Sequence, residues 1–224
     1  MTTVLIADDH PLFRRALAQT VREQVQHAEV IEAGTLEETI DSLRRHDGVD
    51  LVLLDLYMPG SRGLIGLASL RAEFPAVAVV LISAHDDPRT VARAMECGAM
   101  GFIPKSASPE QLGEALATVL DCRDYLPQHL RHEIAALRRH GDAGDDLARR
   151  LASLSPQQHR VLALVAEGRL NKQIADALGI QERTVKAHLT VIFERLGVRN
   201  RTQAGVLLRS LELSGPDRDP APPA

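Results

Sequence analysis

Three carboxylates and one ammonium stand where short runs of strand-forming residues end. Asp8 and Asp9 follow residues 4–7, Asp55 follows 50–54, Ser83 follows 77–82 and Lys105 stands just beyond 100–103. Carboxylates gathered in one pocket repel each other, so they call for a cation. An all-oxygen site with room for water suits Mg²⁺. A carboxylate can also attack phosphorus and become an aspartyl-phosphate. A lysine on the opposite side would offset charge on the incoming phosphoryl group, and the Ser83 hydroxyl would donate to one of its oxygens. The plainer alternative is that acidic residues at strand ends are solvated turn residues, with Lys105 an ordinary surface lysine.

The chemistry requires that these strand ends be neighbours. The first 120 residues alternate strand and helix patterns. Strands are expected at 4–7, 29–33, 50–54, 77–82 and 100–103. The third reads as a nearly continuous apolar run, which suits a parallel strand buried on both faces. Pro11 suits the first turn of a helix, after which Phe13, Leu17, Val21 and Val25 recur at helical spacing. Further helices are expected at 35–45, 64–73, 89–96 and from Pro109 to about residue 120. Such β–α repeats imply a doubly wound, flavodoxin-like, five-stranded parallel sheet with helices on both faces. Ligands of such sheets sit beyond the carboxyl ends of the strands, near the topological switch point.

Four segments carry a resemblance to a known family. Ile6-Ala7-Asp8-Asp9-His10-Pro11-Leu12, Leu53-Leu54-Asp55-Leu56-Tyr57-Met58-Pro59-Gly60, Ile82-Ser83-Ala84 and Gly101-Phe102-Ile103-Pro104-Lys105 resemble the receiver domain of two-component response regulators. The resemblance spans about residues 3–121. It implies that Asp55 is the phosphoacceptor and that Asp9 and Asp55 bind Mg²⁺ directly. Asp8 would act mainly through water, and the Tyr57 carbonyl would complete the protein ligands. Ser83 would follow the phosphoryl group, Lys105 would bind it, and Phe102 would be an aromatic switch. An aromatic residue on a short strand is also ordinary core.

The second half has a different character. Residues 1–122 carry 10 Lys and Arg against 18 Asp and Glu, whereas residues 151–214 carry 9 against 5. A basic surface favours nucleic acid through phosphate neutralisation, although this excess is modest. Residues 122–150 read as a linker, with a helix conceivable at 131–139 and a breaker-rich stretch at 141–146. From Ser155 onward the pattern is helical only. Two helices flank Gly179: one over 171–178, with Asn171 as a good N-cap, and one over about 182–196. In the second, Val185, Leu189, Ile192 and Leu196 form a buried stripe, while Lys186, Ala187 and Thr190 share an exposed face. Arg183, Thr184, His188 and Arg195 flank that face. A short Gly-containing turn between helices is the mark of a helix-turn-helix, whose second helix enters the major groove. Helical hairpins with basic faces also occur as purely structural units.

Leu154-Ser155-Pro156, Ala166-Glu167-Gly168, Asn171-Lys172-Gln173-Ile174-Ala175, Leu178-Gly179-Ile180, Thr184-Val185-Lys186-Ala187-His188-Leu189 and the stretch 192–204 resemble the four-helix, LuxR-type DNA-binding domain over 154 to about 213. Joined to a receiver, this is the pattern of the NarL/FixJ subfamily. The resemblance places Lys186, Ala187 and Thr190 toward bases, and Lys172, Thr184, His188 and Arg195 toward phosphates. Gln157-Gln158 replaces the usual Arg-Glu, which would loosen a surface ion pair. Gln181 replaces the usual Ser cap, at a cost of about 1 kcal/mol.

The expected organisation is a receiver at 1–121, a linker at 122–150, a small all-α helix-turn-helix domain at 151–214 and a disordered tail at 215–224. Two cysteines, Cys97 and Cys122, fit neither a disulfide framework nor a zinc site. No run approaches the roughly 20 apolar residues a membrane span needs. The first residues enter an apolar strand without a basic region, so no signal peptide is expected. A cytoplasmic transcription regulator switched by a sensor histidine kinase, and binding double-stranded DNA as a homodimer, is the reading that follows. The alternative is a regulator that ignores phosphate and is controlled by partner binding. An enzyme that turns over a phosphoaspartate would need a second carboxylate two residues after the nucleophile, where this chain has Tyr57. A ligand-sensing first half would be expected to have an aromatic-lined pocket, but aromatic residues are 3% of the chain. A dedicated enzyme is therefore not expected. The 141–146 stretch would let an unphosphorylated receiver cover the recognition helix or the last helix, expected at 202–213, whose surplus apolar surface suits a dimer unless all of it serves the domain's own core.

Overall fold

The computed structural model describes residues 1–139 and 144–209. The first half runs β1 (Thr3–Ala7), α1 (Pro11–Gln24), β2 (Glu29–Ala33), α2 (Leu36–Arg45), β3 (Leu51–Leu54), α3 (Leu64–Glu73), β4 (Ala78–Ser83), α4 (Pro88–Glu96), β5 (Gly101–Pro104) and α5 (Pro109–Leu120). All strand pairs are parallel, in the order β2-β1-β3-β4-β5. The order reverses between β1 and β3, which places the switch point between Asp8-Asp9 and Asp55. Strands β4 and β5 each begin and end one residue later than the sequence suggests. Their pairing runs to Ser83↔Pro104 and closes with the Lys105 N–H donating to the Ser83 carbonyl at 2.8 Å.

Alternate residues of each strand feed two cores. Leu5, Val52, Leu54, Val79, Leu81 and Phe102 pack under α2, α3 and α4, while Val4, Ile6, Leu51, Leu53, Val80, Ile82 and Ile103 pack under α1 and α5. Helix starts are written locally. Pro stands at the first turn of α1, α4 and α5, Asp87 caps α4, and Ser108 with Gln111 forms a capping box on α5.

The expected linker holds two helices, α6 (Gln128–Arg139), which contains the helix conceivable at 131–139, and α7 (Gly144–Ala152), which takes in the last residues of the breaker-rich stretch. Leu130 and Ile134 of α6, and Ala148 and Leu151 of α7, are buried. Burying each of the larger three contributes roughly 2 kcal/mol, more than the local preference of Gly and Asp for turns can offset. Asp146 also pairs with Arg150 one helical turn on. The rest of the 141–146 stretch, residues 141–143, lies outside the described residues.

The second domain comprises α8 (Pro156–Ala166), α9 (Asn171–Leu178), α10 (Glu182–Leu196) and α11 (Arg201–Arg209). The segments expected at residues 210–213 and the tail at 215–224 lie outside the described residues. Gly179, at φ 64°, closes α9 in the left-handed conformation and turns the chain into α10. Ser155 caps α8 in a capping box with Gln158, so the Gln that replaces the usual Glu keeps the cap. The cap of α9 is Leu170, not Asn171. Leu170 has no side-chain acceptor, and its own N–H is satisfied by the Gln173 side chain at 2.8 Å. Helix α7 packs against α3, α4 and α10, and α8 packs against α3, so one continuous apolar core joins the two domains.

Candidate metal centre and nucleic-acid interface

The register Ala7↔Leu54 sets Asp8 beside Asp55 at the switch point. Asp8 and Asp55 are buried, at 1% and 2% exposure, and Asp9 is partly open. Asp8 Oδ1 accepts the His10 N–H at 2.7 Å, and Asp55 Oδ1 accepts the Tyr57 N–H at 2.9 Å. Each bond fixes its carboxylate through the backbone two residues on. Lys105 reaches in from the β5 end. Its Nζ lies 2.7 Å from both Asp8 Oδ2 and Asp55 Oδ2, and 4.9 Å from the centre of the Phe13 ring. Burial by itself would depress the Lys105 ammonium, but the hydrogen bonds and charges of Asp55 and Asp8 outweigh it and hold the group above its ordinary range.

Ser83 is buried at the end of β4, and its Oγ accepts the His85 N–H at 3.0 Å, leaving the hydroxyl proton free to point elsewhere. Tyr57 packs edge-on against His85, with ring centroids 5.5 Å apart. Burial, then the charges of Asp55 and Asp87, raise its phenol above the usual range. Phe102 is buried on β5 in the core under α3 and α4. The β3–α3 loop is drawn closed by Ser61, whose hydroxyl donates to the Leu56 carbonyl.

The residues fit a divalent ion. Ligand atoms of Asp8, Asp9, Asp55 and His10 all lie within 4.8 Å of one another. Three carboxylates and one ammonium leave net negative charge, and Asp9 Oδ1 is buried without a hydrogen bond. Hard carboxylate oxygens of this kind suit Mg²⁺. His10 is the member that the sequence reading left out, although it adjoins the aspartate pair.

On α10, Val185, Leu189, Ile192 and Leu196 are buried and Lys186, Ala187 and Thr190 are exposed, as the helical period requires. Lys172 and Arg183 are exposed, and Thr184 and His188 are partly so. Gln181 makes no side-chain cap. Arg195 is exposed, but its guanidinium donates to the Ser153 carbonyl. Arg201 ties the domain together from behind, donating to the Arg169 carbonyl and reaching Asn171 Oδ1 at 3.5 Å.

The receiver meets this domain on α8. Arg62, at the end of the loop that begins with Asp55, donates to the Ala163 carbonyl at 2.6 Å and pairs with Glu167 at 2.9 Å. Glu73 accepts from Arg44 of its own domain at 2.8 Å and from Arg160 of α8 at 2.9 Å. Burial works to raise the Glu73 carboxyl, but those arginines hold it below the ordinary range. Cys97 is buried under α7, its thiol donating to the Ala148 carbonyl at 3.6 Å, and burial pushes the thiol up to about 12. The receiver thus packs on α7 and α8, and Lys186, Ala187 and Thr190 of α10 stay exposed.

Residues 4–117 match the family model for the response regulator receiver domain, and residues 152–208 match that for bacterial regulatory proteins of the luxR family. The chain is similar to the glycerol metabolism activator of Pseudomonas putida, with 41% identity over 206 residues, 91% of this chain and 93% of the relative. It is similar also to the nitrate/nitrite response regulator protein NarL of Escherichia coli, at 33% identity over 91% of this chain and 93% of that protein. Among solved structures it resembles RcsB of Salmonella enterica bound to a promoter in the presence of a phosphomimetic. That likeness has a TM-score of 0.56 and 26% identity, covering 94% of this chain and 98% of the other. No helix among the described residues is long and apolar enough to cross a membrane.

Proposed function

The chain belongs to the NarL/FixJ subfamily of response regulators, DNA-binding proteins that join a receiver to a LuxR-type domain, and from that premise we propose that Asp55 accepts a phosphoryl group from a sensor histidine kinase and so sets how the second domain engages DNA. The observation that carries this is Lys105 Nζ lying 2.7 Å from both Asp55 and Asp8 inside a buried carboxylate cluster. An Asp55 carboxylate oxygen attacks phosphorus, the phosphorus–nitrogen bond of the donor phosphohistidine breaks, and the electron pair returns to the imidazole. Asp8, Asp9, Asp55 and the Tyr57 carbonyl would hold Mg²⁺, which offsets charge on the transferring group when bound. Lys105 then pairs with a phosphoryl oxygen, and the Ser83 hydroxyl donates to another. Water later breaks the acyl phosphate. With Tyr57 in place of a second carboxylate, this hydrolysis is a self-limiting step, and the chain is not a dedicated enzyme.

On the DNA side, Lys186, Ala187 and Thr190 face base edges. Lys172, Arg183, Thr184, His188 and Arg195 serve the phosphate backbone. One small helix-turn-helix offers few base contacts, so a homodimer on a two-fold-related site gains affinity through effective concentration. The protein works in the cytoplasm, where the donor kinase and the DNA are both within reach. Phosphorylation adds charge at Asp55, seven residues before the Arg62 contact to α8, and that local change biases the domain arrangement.

The test is intact mass after incubation with acetyl phosphate and Mg²⁺. Wild type gains one phosphoryl group and Asp55→Asn gains none. Equal uptake by the variant would refute the assignment.

A further inference from the structure

His10 follows the aspartate pair and precedes Pro11, and a residue before proline is pushed out of the helical region. Its backbone is accordingly extended, at φ −91° and ψ 101°. It occupies the N-cap position of α1, yet its side chain makes no cap hydrogen bond. The ring turns toward the acidic pocket instead. Nδ1 lies 2.8 Å from Asp9 Oδ1 and 3.3 Å from Asp8 Oδ1.

The short contact to Asp9 lacks hydrogen-bond alignment, because Asp9 Oδ1 has no hydrogen-bond partner. A ring nitrogen and a carboxylate oxygen that approach without facing each other are arranged like two ligands aimed at a common point. Adjacent ligands on an ion held at about 2.1 Å stand roughly 3 Å apart, the separation seen here. Opposed ligands stand about 4.2 Å apart, and the four candidate ligand atoms lie within 4.8 Å of one another.

We propose that His10 adds a nitrogen ligand to the oxygen ligands of this centre, coordinating a first-row transition ion through Nδ1, so that the pocket favours such ions over Mg²⁺. Imidazole is a good ligand for transition ions, whereas Mg²⁺ prefers oxygen and keeps its waters. The inference rests on the metal-dependent phosphoacceptor reading, and it concerns ion choice at that pocket. A His10 that merely pairs with Asp9 would leave ion choice unchanged.

Mn²⁺ is the probe, bound to the full chain. Electron spin-echo modulation should show ¹⁴N coupling in the wild type and none in His10→Gln. Competition, read from the signal of free Mn²⁺, should show the preference for Mn²⁺ over Mg²⁺ falling about tenfold in that variant. His10 is 69% exposed at its side chain, so the substitution leaves the core intact, which thermal melting checks. Bound Mn²⁺ without nitrogen coupling, coupling that persists in His10→Gln, or an unchanged ion preference would overturn the role of His10 alone. Mn²⁺ that fails to bind, or binds equally to Asp9→Asn, would overturn the centre itself and this inference with it.

Discussion

The receiver pocket and the recognition helix solve opposite problems. The pocket buries its charged groups and answers them with a counter-charge, as Lys105 does for Asp8 and Asp55. The recognition helix keeps Lys186, Ala187 and Thr190 in solvent and buries only the apolar stripe behind them. Polar burial in the second domain takes a different form at His159 of α8. That ring is 0% exposed, neither nitrogen has a hydrogen-bond partner among the described residues, and burial pushes its pKa down to about 4. Reaction geometry demands fixed charge. A surface that must meet a long polyanion does better with charge that stays hydrated until contact.

The largest expected stability effect tests the unpartnered imidazole. The unfolded His159 takes up its proton near 6.5 and the folded one only near 4, so the unfolded state binds more protons in between. Stability is fully present above about pH 6.5 and falls as pH drops toward 4, by up to roughly 3 kcal/mol. Urea unfolding across that window checks it. His159→Leu should flatten this part of the profile, and an unchanged slope would place the effect elsewhere.

A somewhat smaller effect is expected where the β3–α3 loop meets α3. A Cβ at Gly66 would run into the Ser61 backbone carbonyl, a group that cannot rotate away. Gly66→Ala should therefore cost about 2–3 kcal/mol by overpacking, despite the better helix propensity of Ala. Phosphoryl uptake should slow as well, because this loop carries Asp55. A neutral result in denaturant titration would show that the loop is free to shift.

On the exposed face, stability should barely change and binding should. Lys186→Ala is expected to weaken specific DNA binding by about 1–3 kcal/mol. Lys172→Ala should weaken binding to all sequences and lower the salt slope by about one unit. Titrations on specific and random duplexes separate the two. Equal loss on both for Lys186→Ala would make it a phosphate contact.

The smallest expected effect reverses the sign of Gly66→Ala. Among the described residues, nothing lies within 4 Å of a Cβ built on Gly205 in α11. Gly205→Ala should stabilise the protein by about 0.5–1 kcal/mol through helix propensity. The same substitution would thus act oppositely in the two domains, and thermal melting of both variants decides whether the contrast holds.

Whatever depends on short-range periodicity can be read from the residues alone. The β–α alternation, the apolar stripe of α10 and the strand-end positions of Asp8, Asp55, Ser83 and Lys105 were all legible, because side-chain direction follows the period of the element. The turn at Gly179 was legible too, since few other residues tolerate its backbone angles. Caps were less so. Asn171 reads as a cap by type, yet its carbonyl oxygen is turned to Arg201 from a segment 30 residues away. How the parts are joined is set by contacts between residues distant in the chain. The Arg62, Glu73, Arg160 and Glu167 contacts pair charges far apart in the chain, and no local pattern distinguishes them from solvated residues. The burial of α6 and α7 likewise depends on apolar surface offered by α3, α4 and α10. The turn of His10 toward the pocket, rather than into a helix cap, depends on where Asp9 stands once β1 and β3 are paired, a distance that composition and spacing do not contain.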